Sequence, residues 1–177
     1  MTKNIYIFLL TLMSVQLTFS QQTIQSSGSK VKFKVSNMAF NTVEGTFNDF
    51  TGMVSFSPKD LNNSFFNVCI SAKSINTENE KRDKHLRKED FFYTEKYTNI
   101  CFKSSKIKKT TNGYTAFGEL NIKDVTKEVS IPFTFINNTF NGSLTLNRND
   151  YNVGPNSGFM VGKEVDVEII CIINPIK

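Results

Sequence analysis

Apolar and polar residues alternate with a period of two along most of the chain. In KVKFKV, Val31, Phe33 and Val35 alternate with lysines, and VSFS and FNVCIS repeat the pattern. Successive side chains of a strand point to opposite faces, so each segment is predicted to be a strand with one buried and one hydrated face. The same pattern occurs in ICFKSSKI, FGELNIKD, VSIPFTFI, FNGSLTLNR and VDVEIICII. The chain is therefore predicted to be all-β, with eight strands.

Short turn sequences separate these strands. Asn112-Gly113 lies between two of them and is a strong hairpin signal. Eight antiparallel strands hide their edges either by closing into a barrel or by stacking as a sandwich. Pro132 has no N–H, so we expect it to face solvent or a bulge rather than a central ladder. Glycines within the predicted strands favour the barrel, because they mark the bends that curvature requires: Gly45, Gly52, Gly118 and Gly142.

One segment carries the pattern of a helix. Thr77 with Glu80 three residues later forms a capping box, which predicts a helix from Glu78 through KRDKHLRKED. On a helical period, Leu86 and Phe92 lie near the apolar side. We expect a charged crossover between two strands, placed where it closes one mouth of the barrel.

The first twenty residues have the pattern of a secretory signal. Lys3 precedes an apolar run from Ile5 to Leu17, and Thr18-Phe19-Ser20 supplies small residues at positions −3 and −1. The run is shorter than the roughly 20 apolar residues that span a bilayer. We expect a periplasmic or secreted protein, cleaved near Ser20, with one domain over 21–177 and no stable membrane anchor.

Composition narrows the classes of function. The formal net charge of +5 is spread over short pairs of lysines rather than an arginine cluster, so nucleic-acid binding is not expected. Seventeen phenylalanines in one small domain must either fill a core or line a cavity. The chain has one histidine and three cysteines without metal-like spacing, so no metal site is predicted.

The three cysteines allow two interpretations. Export makes a bridge between Cys69 and Cys101 possible, since both share the outward phase of their strands. Three inert thiols are the alternative. Cys171 shares the inward phase of Val167 and Ile169, and we expect it to be buried and reduced.

The phase of the strands also predicts which side chains face the interior. These side chains are expected either to form a packed core or to line a pocket for a long apolar tail. The residues proposed as ligand-binding lining are Phe33, Val35, Phe47, Phe56, Val68, Ile70, Phe102, Leu120, Ile122, Phe133, Phe135 and Leu144.

Several motifs together resemble one known family. KRDKHLRKEDFF resembles the RDxHLxxxDFF signature of the YceI-like family of exported polyisoprenoid-binding proteins. Gly45-Thr46-Phe47 followed by Phe50-Thr51-Gly52 resembles the family's GxFxxFxG stretch. Further similarities, in chain order, are Ser74-Ile75-Asn76-Thr77, Ile100 with Phe102 and Ser104, Gly118-Glu119-Leu120-Asn121-Ile122 with Val129, Asn147-Arg148-Asn149-Asp150-Tyr151, and Val161-Gly162-Lys163-Glu164-Val165.

The resemblance implies an extended, lipocalin-like antiparallel β-barrel that binds an amphiphilic lipid. The implied ligands are an isoprenoid quinone, a polyprenol derivative or a fatty-acid derivative, with no other cofactor required. The chain departs from the family's pattern at Ser27-Gly28-Ser29, Tyr93 and Thr98. These positions lie in turns and near the cavity rim, so they affect the head-group environment more than the fold.

Polar residues near the barrel rim allow more than one role. Asp83 and His85 lie two apart, on different sides of a helix, and form a poor acid/base pair. A hydrolase centred on His85 is a third hypothesis, but no nucleophile elbow or oxyanion loop supports it, so we expect no catalytic residue and no enzyme activity. We expect Arg82, Asp83 and His85 to hold the crossover by hydrogen bonds. Residues that we consider for the rim or for head-group contact are Arg82, His85, Phe91, Phe92, Arg148 and Asp150.

The leading hypothesis is therefore a lipid-binding barrel that stores, shields or transports its ligand outside the inner membrane. The alternative is a non-catalytic barrel that acts through its surface as an interaction or stress-response protein. A homodimer is possible under either hypothesis.

Overall fold

The computed structural model describes residues 21–38, 41–156 and 160–174. The predicted signal peptide and its cleavage site lie outside these residues. Within them, no helix is both long and apolar enough to cross a membrane. The strands are β1 Ile24–Asn37, β2 Asn41–Phe47, β3 Phe50–Ser55, β4 Phe65–Ser71, β5 Asn99–Thr110, β6 Gly113–Ile122, β7 Val125–Ile136, β8 Thr139–Asn147 and β9 Val161–Ile173. A helix α1 spans Glu80–Leu86, and short 3-10 turns span Ala72–Ser74 and Arg148–Tyr151.

The nine strands form one antiparallel sheet with the order β2-β1-β9-β8-β7-β6-β5-β4-β3. The sheet curls into a half-barrel, and no continuous ladder joins the outer strands β2 and β3. Two isolated bridges cross between distant parts instead: Gln22 pairs with Val54, and Thr46 pairs with Asn76. The predicted all-β barrel class with one helical crossover is confirmed.

Strand direction gives the half-barrel two distinct ends. β4 ends and β5 begins beside residues 72–98, which carry α1, so we call this the crossover end. At the opposite end lie the start of β6, the end of β7 and the start of β8. Aromatic side chains gather there, and we call it the aromatic end.

The sheet has one strand more than the eight predicted from the alternation. The additional strand is β2, which pairs with β1 from Val31–Phe47 to Asn37–Asn41. Its sequence NTVEGTF offers only Val43 and Phe47 as large apolar residues in phase, with Gly45 between them. Pairing with β1 supplies the ladder that this weak pattern could not predict.

Two glycines show why the sheet can curve. Gly52 has a φ of +115°, and a Cβ there would lie 2.2 Å from the carbonyl oxygen of Asn67. A Cβ on Gly118 would lie 2.2 Å from the carbonyl oxygen of Lys103, beside the irregularity between Ser104 and Lys106. Any side chain would push the neighbouring strand away at these points, as expected for glycine at bends and bulges.

Pro132 lies where the ladder between β7 and β8 stops. β7 pairs with β6 over Val125–Phe133 and with β8 only over Phe133–Ile136. Pro132 is paired with Thr115 of β6 and is exposed. The ladder to β8 begins only at Phe133, so Pro132 takes no part in it.

The helix begins two residues later than the capping box predicts. Asn79, not Thr77, is the N-cap, and its side-chain oxygen accepts a hydrogen bond from the Arg82 N–H. Glu78 has a φ of +59° and cannot belong to the helix. Thr77 is instead buried and bonded to Asp83, so the predicted capping box is wrong because its hydroxyl has a different partner.

Candidate functional site

An apolar cavity of about 240 Å³ lies on the concave face of the sheet, beneath the crossover. Every strand from β1 to β9 contributes to its wall. Partly exposed side chains of β1, β8 and β9 face it, among them Phe33, Leu144 and Val167. Ten of the residues predicted as lining do line it: Phe33, Val35, Phe47, Val68, Ile70, Phe102, Leu120, Ile122, Phe133 and Leu144. Whether they contact a ligand stays a prediction.

Two of the predicted lining residues, Phe56 and Phe135, do not line the cavity. Phe56 packs edge-to-face against Phe133 and Phe140, with ring centroids 5.6 and 5.2 Å apart. Phe135 stacks on Phe140 at 4.5 Å. Their phase is inward, but the barrel interior at this end is already filled by other rings. The period of two along a strand indicates which face of the sheet a side chain occupies, but not its position along the barrel axis.

The crossover covers the other end of the cavity with apolar side chains. Leu86, Phe91 and Phe92 all line the cavity, and Phe92 packs edge-to-face on Phe47 with centroids 5.3 Å apart. Phe91 and Phe92 were predicted as rim or head-group residues, and their contact with a head group stays a prediction. Tyr151 and Val153, from the segment after β8, also line the cavity and are buried. Sequence reasoning missed these two because they lie in an irregular segment without periodicity.

A buried hydrogen-bond network holds the crossover in place. The carboxylate of Asp83 accepts bonds from the backbone N–H of Thr77 at 2.9 Å and from its hydroxyl at 2.5 Å. Arg82 donates from Nε to the Thr77 hydroxyl and from Nη2 to its carbonyl, both at 2.7 Å. The prediction that Arg82 and Asp83 fix the crossover is supported by these contacts. Arg82 does not line the cavity, so its position does not favour a head-group role.

His85 lies on the exposed side of α1. Its Nε2 is 2.7 Å from the Asp90 carboxylate, and its ring packs edge-to-face on Phe91 at 5.0 Å. Asp83 is buried on the opposite side, as the two-residue spacing predicted. His85 therefore ties two residues of the crossover to each other and does not line the cavity. The expectation of no catalysis stays a prediction.

Arg148 is a charged residue of the cavity wall, and its guanidinium donates hydrogen bonds to backbone carbonyls. It donates to the carbonyls of Gly162, Val153, Pro155 and Val161 at 2.6 to 2.8 Å. The side chain is buried, and desolvation lowers its pKa. These bonds tie the segment after β8 to the start of β9.

Asp150, the neighbouring rim candidate, is exposed and lies outside the cavity wall. Its nearest charged partner is Lys127, with 3.7 Å between Nζ and Oδ2. Such an exposed pair contributes little to stability. The position of Asp150 does not favour contact with a ligand in the cavity.

Two of the three cysteines are bonded to each other, and the third is free. Cys69 and Cys101 lie directly opposite on β4 and β5 and form a disulfide. Cys171 is a free, buried thiol, and burial raises its pKa to about 12. Across residues 21–38, 41–156 and 160–174, no group of three or more histidine, cysteine or acidic residues is placed to hold a metal ion.

Comparison with known sequences assigns the chain to a family. The sequence model of the YceI-like domain matches residues 22–171. The chain belongs to the YceI-like family. A UPF0312 protein of Yersinia enterocolitica is 33% identical over 139 residues, covering 78% of this chain and 66% of that protein. One from Serratia proteamaculans is 35% identical over 107 residues, covering 60% and 56%. The chain thus spans 66% and 56% of the length of these two relatives.

Several solved structures share the fold of this chain. BcnA of Burkholderia cenocepacia superposes with a TM-score of 0.80 at 25% identity, covering 85% of this chain and 99% of that one. The YceI protein of Campylobacter jejuni gives 0.67 at 22% identity, covering 81% and 91%. A domain from Saccharophagus degradans, described as polyisoprenoid-binding, gives 0.66 at 13% identity, covering 90% and 100%.

Proposed function

We propose that this YceI-like chain binds an amphiphilic lipid, with the apolar tail in the cavity and the polar head outside it. The observation that carries the proposal is the cavity itself, about 240 Å³ beneath the crossover and walled by aliphatic and aromatic side chains. An isoprenoid quinone, a polyprenol derivative or a fatty-acid derivative has the required tail. The description of the Saccharophagus domain as polyisoprenoid-binding supports the same class of ligand.

Burial of the tail is sufficient for affinity. Each buried methylene contributes roughly 0.8 kcal/mol, so ten contribute about 8 kcal/mol before the costs of association and ordering. Arg148 is bonded to four backbone carbonyls, which makes it a poor receptor for a lipid head group. The tail therefore provides most of the binding free energy.

The proposed role is storage, shielding or transport of this lipid outside the inner membrane. The signal-like pattern of the first twenty residues supports export. The disulfide between Cys69 and Cys101 also supports an oxidising compartment, because such bonds are rare in the cytosol. Detection of the mature protein in a periplasmic or secreted fraction, cleaved near Ser20, tests this part.

Filling the cavity tests the binding proposal. Val167 of β9 is partly exposed and lines the cavity, so Val167→Phe places a ring in the space assigned to the tail. Ser143→Phe is the matched control, because Ser143 is exposed and pairs with Glu168 in the neighbouring register of the same two strands. Each protein is purified from its own host, and bound lipid is measured by extraction and mass spectrometry.

We expect the wild type and Ser143→Phe to carry a stoichiometric lipid and Val167→Phe to carry much less. A wild-type protein that contains no lipid and takes up neither quinones nor fatty acids would refute the proposal. Equal lipid in Val167→Phe and the control would show that the ligand lies elsewhere.

A further inference from the structure

We infer that the aromatic cluster at the aromatic end is the floor of the cavity and sets the length of tail that the chain accepts. The cluster consists of Phe56, Phe66, Tyr114, Phe133, Phe135 and Phe140. This inference rests on the proposed function, because it describes which lipids the proposed site selects.

The cluster has one layer facing the cavity and another behind it. Phe66, Phe133 and Phe140 line the cavity. Phe66 lies edge-to-face to Phe133 and Phe140, with centroids 5.4 and 5.2 Å apart. Phe56 is buried behind this layer and contacts the same rings, at 6.3 Å from Phe66 and 5.2 Å from Phe140. A tail that reaches Phe140 therefore meets two layers of rings.

Exposure along the wall shows which side of the cavity is open to solvent. At the aromatic end, Phe140 and Phe133 are 5% and 7% exposed. Under the crossover, Tyr151 and Val153 are 2% and 6% exposed. The partly exposed lining residues lie instead along β1, β8 and β9, among them Val35, Leu146 and Val165. A tail thus enters beside β1, β8 and β9, between the crossover and the floor, and its last carbon lies against the floor.

The volume in front of the floor limits the tail. A cavity of about 150 Å³ in another protein holds benzene, with six carbons, so about 240 Å³ holds roughly ten carbons. A longer tail must either displace the rings or leave its remaining carbons outside. Close-packed aromatic rings resist such displacement. We therefore expect affinity to increase with tail length up to about ten buried carbons and to stay constant for longer tails.

A series of saturated fatty acids tests the inference. Acids of six to sixteen carbons, each below its critical micelle concentration, displace a fluorescent fatty-acid analogue from the wild type. Each added methylene should strengthen binding about fourfold until the tail reaches the floor, after which affinity should level off. Phe140→Ala removes one ring from the floor and should extend the rise by two or more carbons, about tenfold or more in affinity for the longer acids.

Two further variants make the result interpretable. Phe92→Ala removes a ring from the crossover end of the same cavity, and it should change affinity at all lengths without moving the levelling point. Phe140→Leu should move the levelling point in the same direction as Phe140→Ala by fewer carbons. If circular dichroism shows that the alanine variant does not fold, the leucine variant is measured in its place.

The possible outcomes separate the two proposals. If the wild type binds no acid of any length and retains no probe, the proposed function fails and the floor fails with it. If the wild type binds but affinity rises steadily to sixteen carbons, only the floor is refuted. A levelling point that moves equally in Phe92→Ala and Phe140→Ala also refutes the floor.

Discussion

Removal of the Thr77 hydroxyl should destabilise the fold through the network that holds the crossover. Thr77→Val keeps the branched shape and removes two hydrogen bonds, one donated to Asp83 at 2.5 Å and one accepted from Arg82 at 2.7 Å. Both involve a charged partner, for which each bond contributes about 1.5 to 3 kcal/mol. Asp83 is 7% exposed, so water replaces the lost donor poorly. Arg82 is more accessible, and water compensates part of its loss. We expect a total cost of about 3 kcal/mol in the free energy of unfolding.

Urea denaturation followed by circular dichroism measures this cost. Thr77→Ser is the matched control, because it keeps the hydroxyl and loses only a methyl group, at about 1 kcal/mol. The two variants together separate the network from the packing of the methyl group against β2. A Thr77→Val variant no less stable than Thr77→Ser would refute the reasoning.

Three further predictions concern the disulfide, the buried thiol and the buried guanidinium. The Cys69–Cys101 bond spans 32 residues, so its reduction should lower the free energy of unfolding by roughly 3 to 4 kcal/mol, and an unchanged melt under reductant would contradict this. Burial raises the pKa of Cys171 from 9.0 to about 12, so above pH 9 the unfolded chain loses a proton that the folded chain keeps. Stability should therefore fall between pH 9 and 12, and at about pH 10.5 the wild type should lose roughly 2 kcal/mol that Cys171→Ala does not lose. Arg148→Met should cost about 3 kcal/mol or more and leave the ratio of affinities for a fatty acid and its alcohol unchanged, whereas a selective loss of the acid would identify a head-group contact.

Much of the fold could be predicted from the sequence because burial on one face of a sheet imposes a period of two. Eight of the nine strands carry that pattern, and the one that does not, β2, is short and contains Gly45. Its conformation depends on pairing with β1, and a local pattern does not report such long-range hydrogen bonds. The capping box failed for a similar reason. Thr77 has two possible partners, and the buried Asp83 carboxylate is the stronger acceptor.

The residues of the candidate site could also be predicted only in part. Strand phase assigned side chains such as Phe33, Phe102 and Leu144 to the inner face, and they line the cavity. Phase could not distinguish Phe133 from Phe135, although both belong to β7 and both point inward, because distance along the barrel axis is invisible to periodicity. Arg148 was predicted as a rim residue, but the sequence did not reveal its carbonyl partners, because two of them, Val153 and Pro155, lie in an irregular segment and two, Val161 and Gly162, at the start of β9.

The sequence by itself determined the class of fold, the crossover and the apolar character of the interior, since these follow from where water can and cannot reach along the chain. The tertiary structure alone decided that this interior divides into a cavity and a packed aromatic floor. The physical reason is that a cavity is whatever volume the assembled side chains leave unfilled, and that remainder depends on all nine strands at once.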